Sequence, residues 1–189
     1  MKILLLACAA LIGACGRPPK PLGVLPEFAM TSVGPSGTAR FGRGDLRGKV
    51  WIANFVYTSC AGPCPLLSGR LAALGKELPA SVGLLTVSVD SEGDSPERLR
   101  AYARRYGADP ARWIFLRGTP SETYRLLYAG FRLPLSMDPS APDGRRAAHS
   151  TRFVLIDRDG AIRGYYDGLS DLDNTALARD ARRLLEVGS

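Results

Sequence analysis

The sequence predicts an α/β domain built on a central mixed sheet flanked by helices, with a β-hairpin at its N-terminal end. Three observations predict it. Val50 to Tyr57 is apolar, β-branched or aromatic at nearly every position, as a strand buried on both faces reads. A helix follows at once: Pro65 suits a first helical turn, and Leu66, Leu67, Leu71, Leu74 and Leu78 recur at helical spacing. Strand and helix patterns then alternate as far as a closing hairpin and helix, without an internal repeat or a second domain boundary, which fits one sheet covered by helices. With 189 residues, 46% of them apolar and 23% charged, the chain is of globular composition and long enough for one full core.

The N-terminus carries an address. Met1-Lys2 is positive, and Ile3 to Ile12 is an apolar run of signal-peptide length, too short for a stable transmembrane helix. Leu11-Ile12-Gly13-Ala14-Cys15 places small residues ahead of a cysteine and resembles the lipobox of bacterial lipoproteins. Leu6-Ala7-Cys8 looks similar but has too little apolar run before it. The resemblance implies that residues 1–14 are a signal peptide and that Cys15 carries a diacylglycerol. Residues 15–27, with Pro18, Pro19, Pro21 and Pro26, read as an extended tether, and residues 28–189 as the domain. The expected location is the periplasmic or outer face of the cytoplasmic membrane; the alternative is a cytosolic protein with an apolar N-terminus. Of the four cysteines, Cys8 would leave with the signal and Cys15 would be consumed by lipid, so Cys60 and Cys64 remain in an oxidising compartment. The formal charge of +7 comes from scattered arginines with acids between them. No aromatic-basic motif supports nucleic-acid binding, and a mildly basic surface also suits anionic lipid.

Within the domain, Met30 to Val33, the Gly34-Pro-Ser-Gly37 turn and Thr38 to Phe41 predict a hairpin. Asp45 to Lys49 reads as a polar connection. After the cysteine helix, Val82 to Val89 is a second buried strand ending at Asp90. Ser95-Pro96-Glu97 opens a helix with a serine cap and proline at the first position, running through Leu99, Tyr102 and Tyr106 to Gly107. Trp113 to Leu116 is a short strand and Ser121 to Tyr128 a helix. Gly130 to Ala148 is an irregular loop with three prolines. His149 to Ile156 is a strand, Asp157 to Gly160 a turn, Ala161 to Tyr166 the returning strand, and Asn174 to Val187 a closing amphipathic helix. A thiol pair after an early strand, at the start of a helix, makes this a thioredoxin-like sheet.

Cys60 and Cys64 sit at that strand-to-helix junction. Residues four apart share a helix face, and a helix N-terminus favours thiolate over thiol. Such a pair suits a reversible disulfide or a soft metal ion; a structural disulfide or a buried pair of small residues is the plainer alternative. The chain has one histidine. His149 stands before Phe153-Val-Leu-Ile156, where thioredoxin-like enzymes carry a cis-proline against their cysteines, so its loop could bring the imidazole over Cys60 and Cys64. Two thiolates favour Cu(I), and imidazole accommodates Cu(II) as well. A structural zinc site normally takes four protein ligands, and no fourth Cys or His exists. A catalytic Cys–His pair is disfavoured by the second cysteine.

The segment Tyr57-Thr-Ser-Cys60-Ala-Gly-Pro-Cys64-Pro65 resembles the Y-T-x-C-P-x-x-C-P signature of the Sco/SenC family. Ser88-Val-Asp90-Ser-Glu-Gly-Asp94-Ser-Pro96 is similar to its S-x-D-P-x-x-D-T-P segment. His149-Ser-Thr-Arg-Phe-Val-Leu-Ile-Asp157-Arg-Asp-Gly160 is similar to its H-S-x-x-x-x-L-I-D-x-x-G segment. The resemblance spans about Phe28 to Val187. It implies a thioredoxin-like fold, copper held by Cys60, Cys64 and His149, and a role in metallating the binuclear copper centre of cytochrome c oxidase. Asp90 and Asp94 then read as loop-ordering groups rather than ligands, or, for Asp94, as an acid favouring the dipole of the Ser95 helix. Ala61, Ser91 and Ser95 depart from the family pattern without touching a ligand.

Two functions compete. One is a copper-delivery protein, a monomer tethered to the membrane by its lipid. Its partners are a copper donor or thiol reductant and the copper-centre subunit of the oxidase; its disulfide form would be the inactive state. The other is an enzyme, a thiol–disulfide oxidoreductase using Cys60 and Cys64 as a redox pair. The three-residue spacing between the cysteines and the missing cis-proline favour the first. A peroxide-reducing enzyme on the same fold lacks the usual pattern around its cysteine.

Overall fold

The computed structural model describes residues 17–137 and 147–187. The side chains of residues 135–149 lie outside that description, as do the signal segment and Cys15. β1 (Gly23–Val24) is followed by the hairpin of β2 (Ala29–Gly34) and β3 (Gly37–Gly42), paired from Ala29↔Gly42 to Gly34↔Gly37. A 3₁₀ turn at Arg43–Leu46 takes part of the expected polar connection; Leu46 within it is fully buried and its carbonyl accepts the Trp51 Nε1–H at 2.9 Å. Next come β4 (Val50–Val56), α1 (Cys64–Glu77), β5 (Val82–Ser88), α2 (Pro96–Arg105) and β6 (Trp113–Arg117).

Every residue of β4 and β5 is buried, because β4 is flanked by β5 in parallel and by a later strand in antiparallel, while helices cover the faces. α2 begins as predicted, with the Arg98 N–H donated to Ser95 Oγ at 3.3 Å. The expected helix over Ser121 to Tyr128 starts one residue earlier, as α3 (Pro120–Arg125), and widens into a π turn at Leu126–Gly130. The Phe131 N–H reaches back to the Leu126 carbonyl at 2.8 Å. This wider turn sets the fully buried Phe131 edge-on to Phe55, with ring centroids 4.9 Å apart.

The expected irregular loop carries a two-stranded ladder of β7 (Leu135–Met137) and β8 (Ala147–His149), with Leu135 opposite His149. The single strand expected over His149 to Ile156 is therefore divided. His149 ends β8, and β9 (Arg152–Ile156) starts after a break where Ser150 Oγ accepts the Arg152 N–H at 3.1 Å. β10 (Ala161–Asp167) returns beside β9. α4 (Asp171–Glu186) starts ahead of Asn174, because Ser170 Oγ caps it through the Asp173 N–H at 3.2 Å.

The main sheet has the order β1-β10-β9-β4-β5-β6-β2-β3. β1 and β2 are thus six strands apart, about 29 Å in a flat sheet at ~4.8 Å per step. Yet the five residue steps from Val24 to Ala29 span at most about 18 Å, so the sheet must curl until its edges approach. Leu25 in this crossing is fully buried, and its N–H bonds the Gly160 carbonyl at 3.0 Å. The stretch read as a tether is therefore packed into the fold from Leu22 onward, where backbone bonding to Ile162 begins. Leu25→Ala is expected to destabilise the protein by about 2–4 kcal/mol, read as a lower urea midpoint. An unchanged midpoint would mean that the crossing lies outside the cooperative unit.

Candidate metal and thiol centre

β4 ends in the middle of the sheet and hands the chain to a short turn before α1. The Cys60 N–H closes that turn on the Tyr57 carbonyl at 3.1 Å. Pro63 precedes the helix, Cys64 is its first residue and Pro65 its second, so both prolines stand where no N–H is needed. Cys60 and Cys64 are both free thiols, hydrogen-bonded to each other. Cys60 is 8% exposed and Cys64 0%. Below them a buried chain supports the helix start. Tyr102 Oη lies 2.8 Å from Ser68 Oγ and donates to the Cys64 carbonyl at 3.4 Å.

The helix N-terminus does not lower the Cys64 thiol, contrary to the sequence expectation. Burial pushes its thiol well above the ordinary value of 9.0, and the hydrogen bond with Cys60 pushes the same way. Desolvation of the charged form outweighs the dipole here because the sulfur has no exposed surface. A raised thiol keeps its proton in the native state after the unfolded chain has lost its own. The metal-free dithiol protein should therefore lose stability as the pH rises above about 9, by up to ~1.4 kcal/mol per pH unit from this group. Cys64→Ala should flatten the profile of urea midpoint against pH between 9 and 10; parallel profiles would contradict the burial argument.

Asp94 is the group that shapes the turn from behind. Only 1% exposed, it accepts the Thr58 N–H at 2.9 Å, the Thr58 hydroxyl at 2.6 Å and the Ser88 hydroxyl at 2.5 Å. It thus ties the start of the cysteine turn to the end of β5 and is not simply a helix-start acid. Arg117 holds the same loop by its backbone, donating to the Asp94 and Ser91 carbonyls at 3.0 and 2.9 Å. Asp90 accepts the Gly93 N–H at 2.9 Å. Thr58 and Ser88 were not singled out in the sequence, although both stand inside motifs that were.

His149 reaches this edge by its backbone. β9 runs antiparallel to β4 with Ala53 opposite Val154, so the chain ahead of β9 lies at the sheet edge where β4 ends. A second contact agrees. Leu67 of α1 packs against Gly168, where an added Cβ would come within 2.5 Å of it, and the Gly168 N–H donates to the Thr151 carbonyl at 3.0 Å. The imidazole itself lies outside the described side chains. Among the described residues no group of three or more His, Cys, Asp or Glu could hold a metal.

A thiol pair at the strand-to-helix junction of a curled mixed sheet defines a thioredoxin-like thiol protein. Within that class the SCO1/SenC family profile matches residues 28–186, and the chain belongs to that family. It is 29% identical to the SCO1 protein homolog of Bacillus subtilis (strain 168) over 141 residues, 72% of either chain. A SCO1/SenC family lipoprotein from Bacillus anthracis str. Ames is 31% identical with a TM-score of 0.76, covering 88% of this chain and 98% of that one. BsSco, described as a member of the Sco family of cytochrome c oxidase assembly proteins in which a disulfide switch was identified, is 26% identical with a TM-score of 0.73, covering 89% and 98%. Bradyrhizobium japonicum ScoI, solved with copper bound, is 25% identical with a TM-score of 0.66, covering 85% and 99%.

Proposed function

We propose that this chain is a membrane-anchored copper-binding protein that delivers copper to the binuclear copper centre of cytochrome c oxidase during assembly, with Cys60, Cys64 and His149 as the ligands. The observation that carries the reading is the pair of reduced thiols, mutually bonded and almost dry, at the end of the central strand. Two sulfur donors in such a place suit Cu(I). Binding must release the Cys64 proton, so copper and protons compete at the site. Cys60, the less buried of the two cysteines, is the one that an incoming carrier meets first. The copper-bound ScoI structure and the assembly role stated for BsSco's family support the same reading. Anchoring through Cys15 is supported by the lipobox-like segment and by the Bacillus anthracis relative's description as a lipoprotein. Among the described residues no helix is long and apolar enough to cross a membrane.

The disulfide switch described for BsSco supports a second reading, a thiol–disulfide oxidoreductase acting on exported or oxidase-subunit cysteines. One experiment separates the two. Soluble protein beginning after Cys15 is titrated anaerobically with Cu(I) and Cu(II) against a competing chelator, in its dithiol and disulfide forms. One tight equivalent on the dithiol form alone is the expected result. No binding above background would favour the oxidoreductase, whose reduction potential would then be the quantity to measure.

A further inference from the structure

We propose that a cleft beside the cysteine turn is a carboxylate-binding subsite, which holds an acidic group of whatever molecule exchanges metal or thiols with Cys60 and Cys64. The cleft has a volume of about 620 Å³. Thr58 and Ser59, the two residues before Cys60, line it together with Arg98, Tyr102 and Arg105 of α2 and with Asp90. Arg98 and Arg105 are seven residues apart and so project from one face of α2, two turns from each other. Ala101 between them is small and leaves the space open.

These two guanidinium groups differ from Arg100 and Arg117 nearby. Arg100 is paired with Glu97 at 3.1 Å, and Arg117 is spent on two backbone carbonyls. Arg98 uses one nitrogen on the Gly93 carbonyl at 2.9 Å, and Arg105 lies over the Tyr106 ring at 5.8 Å. Neither forms an ion pair among the described residues. Two forks without an ion-pair partner among the described residues, lining one concavity with a single carboxylate, leave a net positive potential there and match the planar, two-oxygen geometry of a carboxylate. Asp90 works against that potential, which gives the subsite a distinctive signature: removing the Asp90 charge must tighten anion binding. Ser59, which lines the cleft, directly precedes Cys60 in the chain, so a carboxylate seated here holds its bearer beside the cysteine turn. This last consequence rests on the proposed exchange role of the thiols; the binding itself does not.

The carboxylate could come from acidic side chains of a partner protein or from a small free acid. Calorimetry on the full-length chain in non-ionic detergent at low ionic strength would use two probes, a capped Asp/Glu hexapeptide and citrate. At least one is expected to bind, and to weaken with added salt. Tighter peptide binding points to a protein partner and tighter citrate binding to a small acid. Arg105→Gln, which leaves the Gly93 contact intact, should weaken binding several-fold, and Arg98→Gln with Arg105→Gln at least about tenfold. Asp90→Asn should tighten it a few-fold. Arg104→Gln, on the same helix but not lining the cleft, should leave it unchanged. Absence of binding to either probe, equal binding by wild type and the double variant, or no tightening in Asp90→Asn would each overturn the proposal. Copper titration of the same proteins keeps the two ideas separate. Wild type that binds the probe but no copper retains the subsite and loses the copper reading.

Discussion

Replacing Asp94 by alanine is expected to destabilise the native protein by about 2–4 kcal/mol. The carboxylate accepts three hydrogen bonds from Thr58 and Ser88, and alanine leaves all three donors without that acceptor in a buried place. An unsatisfied buried donor costs about 1–3 kcal/mol; relaxation and water entry at the half-buried Thr58 reduce the sum. Asp94→Asn keeps an acceptor oxygen and should cost at least 1 kcal/mol less than Asp94→Ala. Urea denaturation of the three proteins measures both gaps, and equal midpoints for wild type and Asp94→Ala would refute the argument.

The same residue makes a pH prediction with a definite sign. Burial holds the Asp94 carboxyl above its ordinary value of 3.8, despite the hydrogen bonds from Ser88 and Thr58 that pull it down. A raised carboxyl keeps its proton longer in the native state than in the unfolded chain. Its contribution to stability is therefore greatest below pH 3.8 and is lost as the pH rises through the native value. Asparagine does not titrate, so the stability of wild type relative to Asp94→Asn should improve as the pH is lowered from 7 towards 4. A gap that moves the other way would mean that the hydrogen bonds outweigh burial.

On the proposed three-ligand reading, Cys64→Ser is expected to lower Cu(I) affinity by on the order of 100-fold or more, because a hard, protonated hydroxyl replaces a soft sulfur donor. Serine is nearly isosteric, so the fold should be kept and the loss should be chemical. His149→Ala is the sharper variant. On the three-ligand reading it weakens Cu(II) more than Cu(I), since the imidazole is the donor that suits the higher oxidation state. Both are measured by anaerobic competition titration, with oxidase assembly in the cell as the second readout. If His149→Ala retains tight binding of both ions and normal assembly, the imidazole is not a ligand.

Much of this molecule was legible in the chain. The two buried strands Val50–Val56 and Val82–Ser88, the serine-capped helix from Pro96 and the position of both cysteines at a strand-to-helix junction follow from periodicity, capping residues and motif spacing. All of these are properties of neighbouring residues. The three motif resemblances pointed to the same family that the comparisons show. At two of the local departures a short polar side chain bonds the backbone at the break: Ser150 where the strand after His149 is divided, and Ser170 where the last helix starts early.

Only the tertiary structure decided the rest, because it depends on what burial and distant elements do to a side chain. Asp94 could be read as a loop-ordering group or as a helix-start acid; Thr58, 36 residues away, and the end of β5 close around it and decide for the first. Cys64 stood where a helix dipole favours thiolate, yet desolvation reversed the sign. Leu25 lay in a proline-rich stretch that read as tether, and the curl of the sheet drew it into the core. Arg98 and Arg105 are two among many arginines; only the fold sets them in one cleft with Ser59, without an ion pair among the described residues. The sequence by itself determined the elements and the chemistry available at their junction. Solvent exclusion and long-range contacts, which no local pattern encodes, raised the Cys64 thiol and set the groups that surround the site.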